Sequence, residues 1–208
     1  MLSRSGRPLA TVLFGPIAQL LVRLGISPNV VTIVGGVASS VAALVLLPMN
    51  YLLTGAFVVT ALVIFDNLDG QMARLTNSTT KFGAFLDSTM DRFSDGAIFA
   101  ALAMWGVFHA DEPMKTSVVL GAIAAGLIGG IVPYARARAE GVGYSASVGL
   151  AERADRLIFG LILVLATGFG ASHWFMAVGL WLLAAAALFT VAQRVIYVYK
   201  RMKEAGDA

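Results

Sequence analysis

The chain has no cysteine and only two histidines, His109 and His173. The first absence excludes disulfides, thiolate metal sites and cysteine nucleophiles. The second leaves little room for a histidine-rich metal centre. Charge is also scarce. Asp, Glu, Lys and Arg make up 13% of the 208 residues, against 58% for the hydrophobic types. A soluble domain carries about 25% charged and about 45–50% apolar residues. That balance, with a mean hydropathy of +0.82, excludes a soluble enzyme of this length. It equally excludes a disordered chain, which would be poor in apolar residues.

What is present is a succession of apolar runs. They cover Val30–Met49, Tyr51–Phe65, Gly96–Ala110, Ser117–Tyr134, Leu157–Ser172 and Trp174–Gln193. Crossing about 30 Å of hydrocarbon takes about 20 residues, and each shorter run abuts a polar segment that can carry its helix into the interface. The pattern predicts an all-α integral membrane protein, 1–208 forming a single membrane domain. Six transmembrane helices are expected over roughly 28–49, 51–74, 83–109, 115–139, 153–171 and 173–203.

Residues 8–24 follow Arg4 and Arg7, as a signal peptide would. Gly15-Pro16 breaks the run, however, and no small-x-small cleavage site follows. Leu13, Ile17, Leu20, Leu21 and Leu24 fall at helical spacing, which predicts a helix lying in the membrane interface.

The basic residues set the orientation. With the N-terminus inside and six spans, 14 of the 15 Lys and Arg face the cytoplasm and only Lys115 faces out. Both termini are therefore expected on the cytoplasmic side of the cell membrane. Nothing in this charge pattern calls for a nucleic acid partner.

Five of the 12 acidic residues, Asp66, Asp69, Asp87, Asp91 and Asp95, lie in one window of thirty. Carboxylates in a membrane helix are costly and usually face a cavity or a partner. On a continuous helix Asp66, Asp69, Gly70, Ala73 and Arg74 share one face, and Gly83, Asp87 and Asp91 share another. Asn77-Ser78 is a turn signal between them, so a helix hairpin would bring the two acidic faces together. Four converging carboxylates repel unless cations neutralise them. An all-oxygen ligand set suits two Mg²⁺ ions, or Mn²⁺, and argues against Zn²⁺ or Cu. Two such ions are a usual arrangement for attack at phosphorus. Gly70 and Gly83 leave room on the acidic faces for a phosphate or nucleobase. Helix-end charges pairing with Arg74, Lys81 and Arg92 would account for one aspartate but not for four on two stripes. Asp95, a turn further on, is the one expected to pair with Arg92.

The string Asp66-x-x-Asp69-Gly70-x-x-Ala73-Arg74, eight residues, then Gly83-x-x-x-Asp87-x-x-x-Asp91 resembles the signature of the CDP-alcohol phosphotransferases at every fixed position. Pro28-Asn29-Val30-Val31-Thr32 is similar to that family's P-N-x-x-T opening of the first span. The resemblance implies six helices behind an interfacial helix, and transfer of a phosphatidyl or similar group from a CDP-linked donor to an alcohol with release of CMP. It makes Asp66, Asp69, Asp87 and Asp91 the ligands of two Mg²⁺ ions and Asp91 also the general base on the acceptor hydroxyl. It assigns Asn29, Val30, Val31, Thr32, Gly70, Arg74 and Thr80 to the CDP-diacylglycerol donor.

The acceptor is addressed by arginines. Arg136 and Arg138 end the fourth expected span, Arg153 and Arg156 begin the fifth, and Arg194 stands among apolar neighbours in the sixth. Guanidinium forks bind phosphate bidentately, so Arg136, Arg138, Arg153 and Arg194 are expected to hold a phosphorylated acceptor. The R-A-R-A-E and E-R-x-x-R pattern resembles the branch of the family that uses inositol phosphate; glycerol phosphate is the alternative acceptor. A cation transporter is the competing class, but its carboxylates would sit near the bilayer midplane. Ala122, Gly126 and Gly130 form a small-residue stripe expected to allow close helix packing, within the bundle or in a homodimer.

Overall fold

A computed structural model describes residues 7–66, 68–149 and 152–207, with side chains for all of these except 7–14 and Asp66. It contains eight helices and no strand among the described residues: α1 (Arg7–Arg23), α2 (Pro28–Leu46), α3 (Leu52–Asp66), α4 (Leu68–Leu75), α5 (Lys81–His109), α6 (Met114–Gly141), α7 (Arg153–Gly168) and α8 (His173–Ala205). The expected all-helical architecture is observed. One expected span, 51–74, is described as two helices on either side of Asn67, a residue outside the description.

Four stretches are long and apolar enough to cross a bilayer: α2, Leu52–Leu75, α6 and α8. The six expected spans are therefore met only in part, for two physical reasons. The first half of α5 carries Lys81, Asp87, Asp91, Arg92 and Asp95, so only its second half is apolar. Helix α7 has 16 residues, which at 1.5 Å each reach about 24 Å, short of the hydrocarbon thickness. The membrane character is clearest on α2. Its buried residues are the small and polar Thr32, Gly36, Ser39, Ser40 and Ala43, while Val30, Val34, Val37, Val41 and Val45 are exposed. That arrangement inverts a soluble helix and suits lipid outside with close helix contact inside.

The chain divides into two compact units, residues 1–45 with 54–98, and residues 46–53 with 99–208. In the first, α1 packs on α4. Gly25, at φ +74°, ends α1; its N–H donates to Val22 O and the Ile26 N–H to Leu21 O, a turn in which glycine is favoured. Ala18, Leu68 and Met72 are wholly buried where the two helices meet. The small-residue face of α2 lets α5 close in: a Cβ on Gly36 would lie 2.8 Å from Met90 Cε on α5. Asn77, at φ +49°, makes the expected turn between α4 and α5.

In the second unit α6 and α7 both pack on α8. Small residues bring the helices close. A Cβ on Gly179 would fall 2.2 Å from Leu163 Cδ2, and one on Gly121 3.1 Å from Leu180 Cβ. The expected stripe is only partly used: Ala122 is buried, Gly126 meets Phe99 of α5, and Gly130 has nothing within 4 Å. Away from the motif residues, Trp105 is fully buried and donates to Asn50 Oδ1 at 2.8 Å. Its ring meets that of His173 edge-on, centroids 5.1 Å apart.

Candidate active site

The signature residues belong to the first unit. Thr32 links the opening of α2 to Asp69 on α4. Its buried hydroxyl lies 2.5 Å from Asp69 Oδ2 and 3.1 Å from the Pro28 carbonyl one turn back. A hydroxyl so placed holds the carboxylate in one orientation. On α4, Gly70 and Arg74 stand a turn apart, and a Cβ at Gly70 would lie 3.6 Å from Arg74 Nη1. The guanidinium thus lies over the bare glycine. At the start of α5 the Gly83 N–H donates to Thr80 Oγ1 at 2.9 Å. A Cβ at Gly83 would come within 3.2 Å of that hydroxyl and 3.4 Å of Asn29 Oδ1. Asn29, Thr80 and Gly83 are therefore neighbours, with glycine required to keep the space between them open. Val30 is half exposed, and Val31 packs on the Ala18–Leu68–Met72 cluster.

Asp87 and Asp91 stand one turn apart on α5. Arg92 Nη2 lies 3.8 Å from Asp91 Oδ2 and 3.5 Å from Asp95 Oδ2, so Asp95 takes the structural pairing expected of it. Among the described residues no three carboxylates or imidazoles converge as a metal cage; the side chain of Asp66 lies outside the described residues. The donor chemistry nonetheless fits a hard divalent ion. The described signature carboxylates offer only oxygen, Asp69 is already oriented by a hydroxyl, and both histidines belong to the second unit.

The arginines expected at the acceptor belong to the second unit. Arg136 is exposed and pairs with Glu140 at 2.9 Å. Arg138 is exposed and Arg153, the first residue of α7, is half-buried. Arg194 is buried. Its Nε donates to Val148 O at 2.8 Å and its Nη1 to Val132 O. Those carbonyls fix the guanidinium and tie the 144–149 segment to α8. Gly149, at φ +139°, completes this contact, because a Cβ there would lie 2.4 Å from Thr190 Cγ2. At the far end of the segment the Tyr144 hydroxyl donates to Asp207 Oδ2. That bond to the carboxylate, with burial and the negative charge adding to it, holds the phenol above its ordinary range.

Arg156, grouped in sequence with the arginines expected near the acceptor, is almost wholly buried, its Nε 3.3 Å from where a Gly129 Cβ would be. That burial does not show in the sequence, and neither does the burial of Ala18, which carries no signal beyond its place on the inner face of α1.

The sequence model of the CDP-alcohol phosphatidyltransferases matches residues 25–192, and the chain belongs to that family. Among its relatives is the phosphatidylinositol phosphate synthase of Streptomyces avermitilis, 37% identical across 100% of this chain and 86% of the relative. The protein of the same name from Mycobacteroides abscessus is 43% identical over 86% of this chain and 80% of its own length. The crystal structure of Mycobacterium tuberculosis phosphatidylinositol phosphate synthase with CDP-DAG bound superposes with a TM-score of 0.82, at 42% identity over 88% of this chain and 92% of that one. The same enzyme has been solved in complex with manganese and citrate.

Proposed function

We propose that this chain transfers the phosphatidyl group of CDP-diacylglycerol to inositol phosphate, giving phosphatidylinositol phosphate and CMP. One observation carries the reading. The complete family signature folds so that Asp69 is oriented by Thr32, in a chain whose relatives over most of its length are phosphatidylinositol phosphate synthases.

Asp66, Asp69, Asp87 and Asp91 would hold two divalent ions, Mg²⁺ or Mn²⁺; the manganese complex of a relative supports this. When bound, such ions neutralise the diphosphate and the departing CMP. The chain's own residues do the rest. Asn29, Val30, Val31, Thr32, Gly70, Arg74 and Thr80 bind the donor head group. Arg136, Arg138, Arg153 and Arg194 bind the acceptor's phosphate. Arg194 is held by two carbonyls beforehand, so little ordering cost remains on binding. Asp91 takes the proton of the acceptor hydroxyl. The hydroxyl oxygen forms a bond to the β-phosphorus, and the bond from that phosphorus to the oxygen of CMP breaks. No protein nucleophile is needed, so Ser88 and Thr89 stay out of the reaction.

The working form in this reading is a single domain over 1–208, with six transmembrane helices and α1 in the interface. Both termini and the active site face the cytoplasm, and two copies associate. Purified protein given CDP-diacylglycerol, inositol phosphate and Mg²⁺ should release CMP and form a lipid carrying two phosphates. Release that persists at full rate in Asp91→Asn would contradict the role given to Asp91. No diphosphorylated lipid at all would contradict the function.

A further inference from the structure

We propose that α1 positions α4, and that Ala18 is the positioning residue through which it does so. The inference rests on the role given above to Asp69, Gly70 and Arg74 of α4. Helix α4 carries Asp69, Gly70 and Arg74, so its orientation depends on what its apolar side chains pack against. Its apolar side chains are Leu68, Met72 and Leu75, apart from the small Ala73. Leu75 is 51% exposed, whereas Leu68 and Met72 are 0% exposed.

Leu68 and Met72 stand at i and i+4 and form one face. At about 100° per residue, Gly70 and Arg74 fall on the opposite side and Asp69 on the flank. The anchoring face is thus set against the face that carries the motif. What fills the anchor is α1: Ala18 is also 0% exposed, and Ile17, Leu21 and Val22 pack around the same cluster. Val31 of α2 joins it, and the next residue, Thr32, is the one that holds Asp69. One small cluster therefore underlies both the carboxylate and the hydroxyl that orients it. Leu20, on the other side of α1, is 56% exposed, and Leu24, just past the helix end, is 66% exposed. The interfacial helix faces lipid with one side and serves as the floor of the motif helix with the other. A methyl at position 18 sets the separation, because no exposed surface remains there to take a larger side chain.

The test uses the full-length protein in lipid nanodiscs. Mn²⁺ binding is titrated from the electron paramagnetic resonance signal of the free ion, beside the KM of each substrate and the Tm. Ala18→Leu should weaken Mn²⁺ binding by about tenfold or more, the range seen when a supporting contact of a metal ligand is lost. It should raise the donor KM and leave the acceptor KM within about twofold. Shrinking the facing residue, in Ala18→Leu/Met72→Ala, should restore Mn²⁺ binding. Where Ala18→Leu does not fold, Ala18→Val should show the same change on a smaller scale. Folded Ala18→Leu or Ala18→Val protein with the unaltered Mn²⁺ constant would overturn the proposal, as would a double variant no better than the single one. Asp69→Asn separates this from the underlying reading. If it leaves Mn²⁺ binding intact, both fall; if it abolishes binding while the Ala18 variants do not, only the positioning role of α1 falls.

Discussion

The Thr32 hydroxyl, on the first turns of α2, lies 2.5 Å from Asp69 Oδ2 on α4, 37 positions along the chain. It is a part-buried contact between the two stretches of sequence that carry the family pattern. Orienting partners of metal-binding carboxylates commonly contribute 10–100-fold in affinity, as a rough range. Thr32→Val keeps the shape and removes the hydrogen bond. It should raise the Mg²⁺ concentration for half-maximal CMP release by about tenfold, and Thr32→Ser should restore most of it. A metal titration of the three proteins checks this.

The arginines of the second unit should act on the acceptor alone. A charge-assisted hydrogen bond is worth about 1.5–3 kcal/mol, so Arg138→Ala or Arg153→Ala should raise the KM for inositol phosphate by roughly tenfold or more. The KM for CDP-diacylglycerol should stay near its original value. Steady-state kinetics with each substrate varied in turn reads both; a change confined to the donor would move the phosphate site elsewhere.

Gly149 should tolerate no side chain. It has φ +139°, and an added Cβ would stand 2.4 Å from Thr190 Cγ2. Gly149→Ala combines backbone strain of about 1–3 kcal/mol with a clash. The variant should show a lower Tm in thermal unfolding and a higher acceptor KM, because Val148, the neighbour of Gly149, is what Arg194 holds.

Tyr144 should titrate late. Its phenol is held above the ordinary value by the hydrogen bond to Asp207 first, then burial and the carboxylate's charge. A raised value in the folded state means that the contact is fully present below about pH 10, the unfolded value, and is lost as pH rises through the folded one. The absorbance change at 295 nm that disappears in Tyr144→Phe should lie above pH 10 in the unmodified protein. It should move down in Asp207→Asn.

Much of this is legible in the residues before any fold is known. The spacing of Asp66, Asp69, Gly70, Ala73 and Arg74 against Gly83, Asp87 and Asp91 reads directly because helix periodicity converts it into faces. The Asn77 turn reads because asparagine tolerates a positive φ. The pairing of Asp95 with Arg92 reads from i, i+3 spacing. What stays hidden depends on contacts between distant segments. Nothing near Arg194 in sequence announces that Val132 and Val148 offer it carbonyls. Arg156 has the composition of a surface residue and the burial of a core one. Ala18 is one alanine among many, and only its burial against Leu68 and Met72 marks it.

The acceptor distinguishes this chain's proposed reaction from others of the family. The decisive measurement gives the purified protein CDP-diacylglycerol and Mg²⁺ with equal concentrations of inositol phosphate, glycerol phosphate and free inositol, separately and together, and identifies the lipid products by mass. Inositol phosphate should drive CMP release, and phosphatidylinositol phosphate should dominate the mixture. Phosphatidylglycerophosphate as the main product would contradict this, and so would equal use of unphosphorylated inositol.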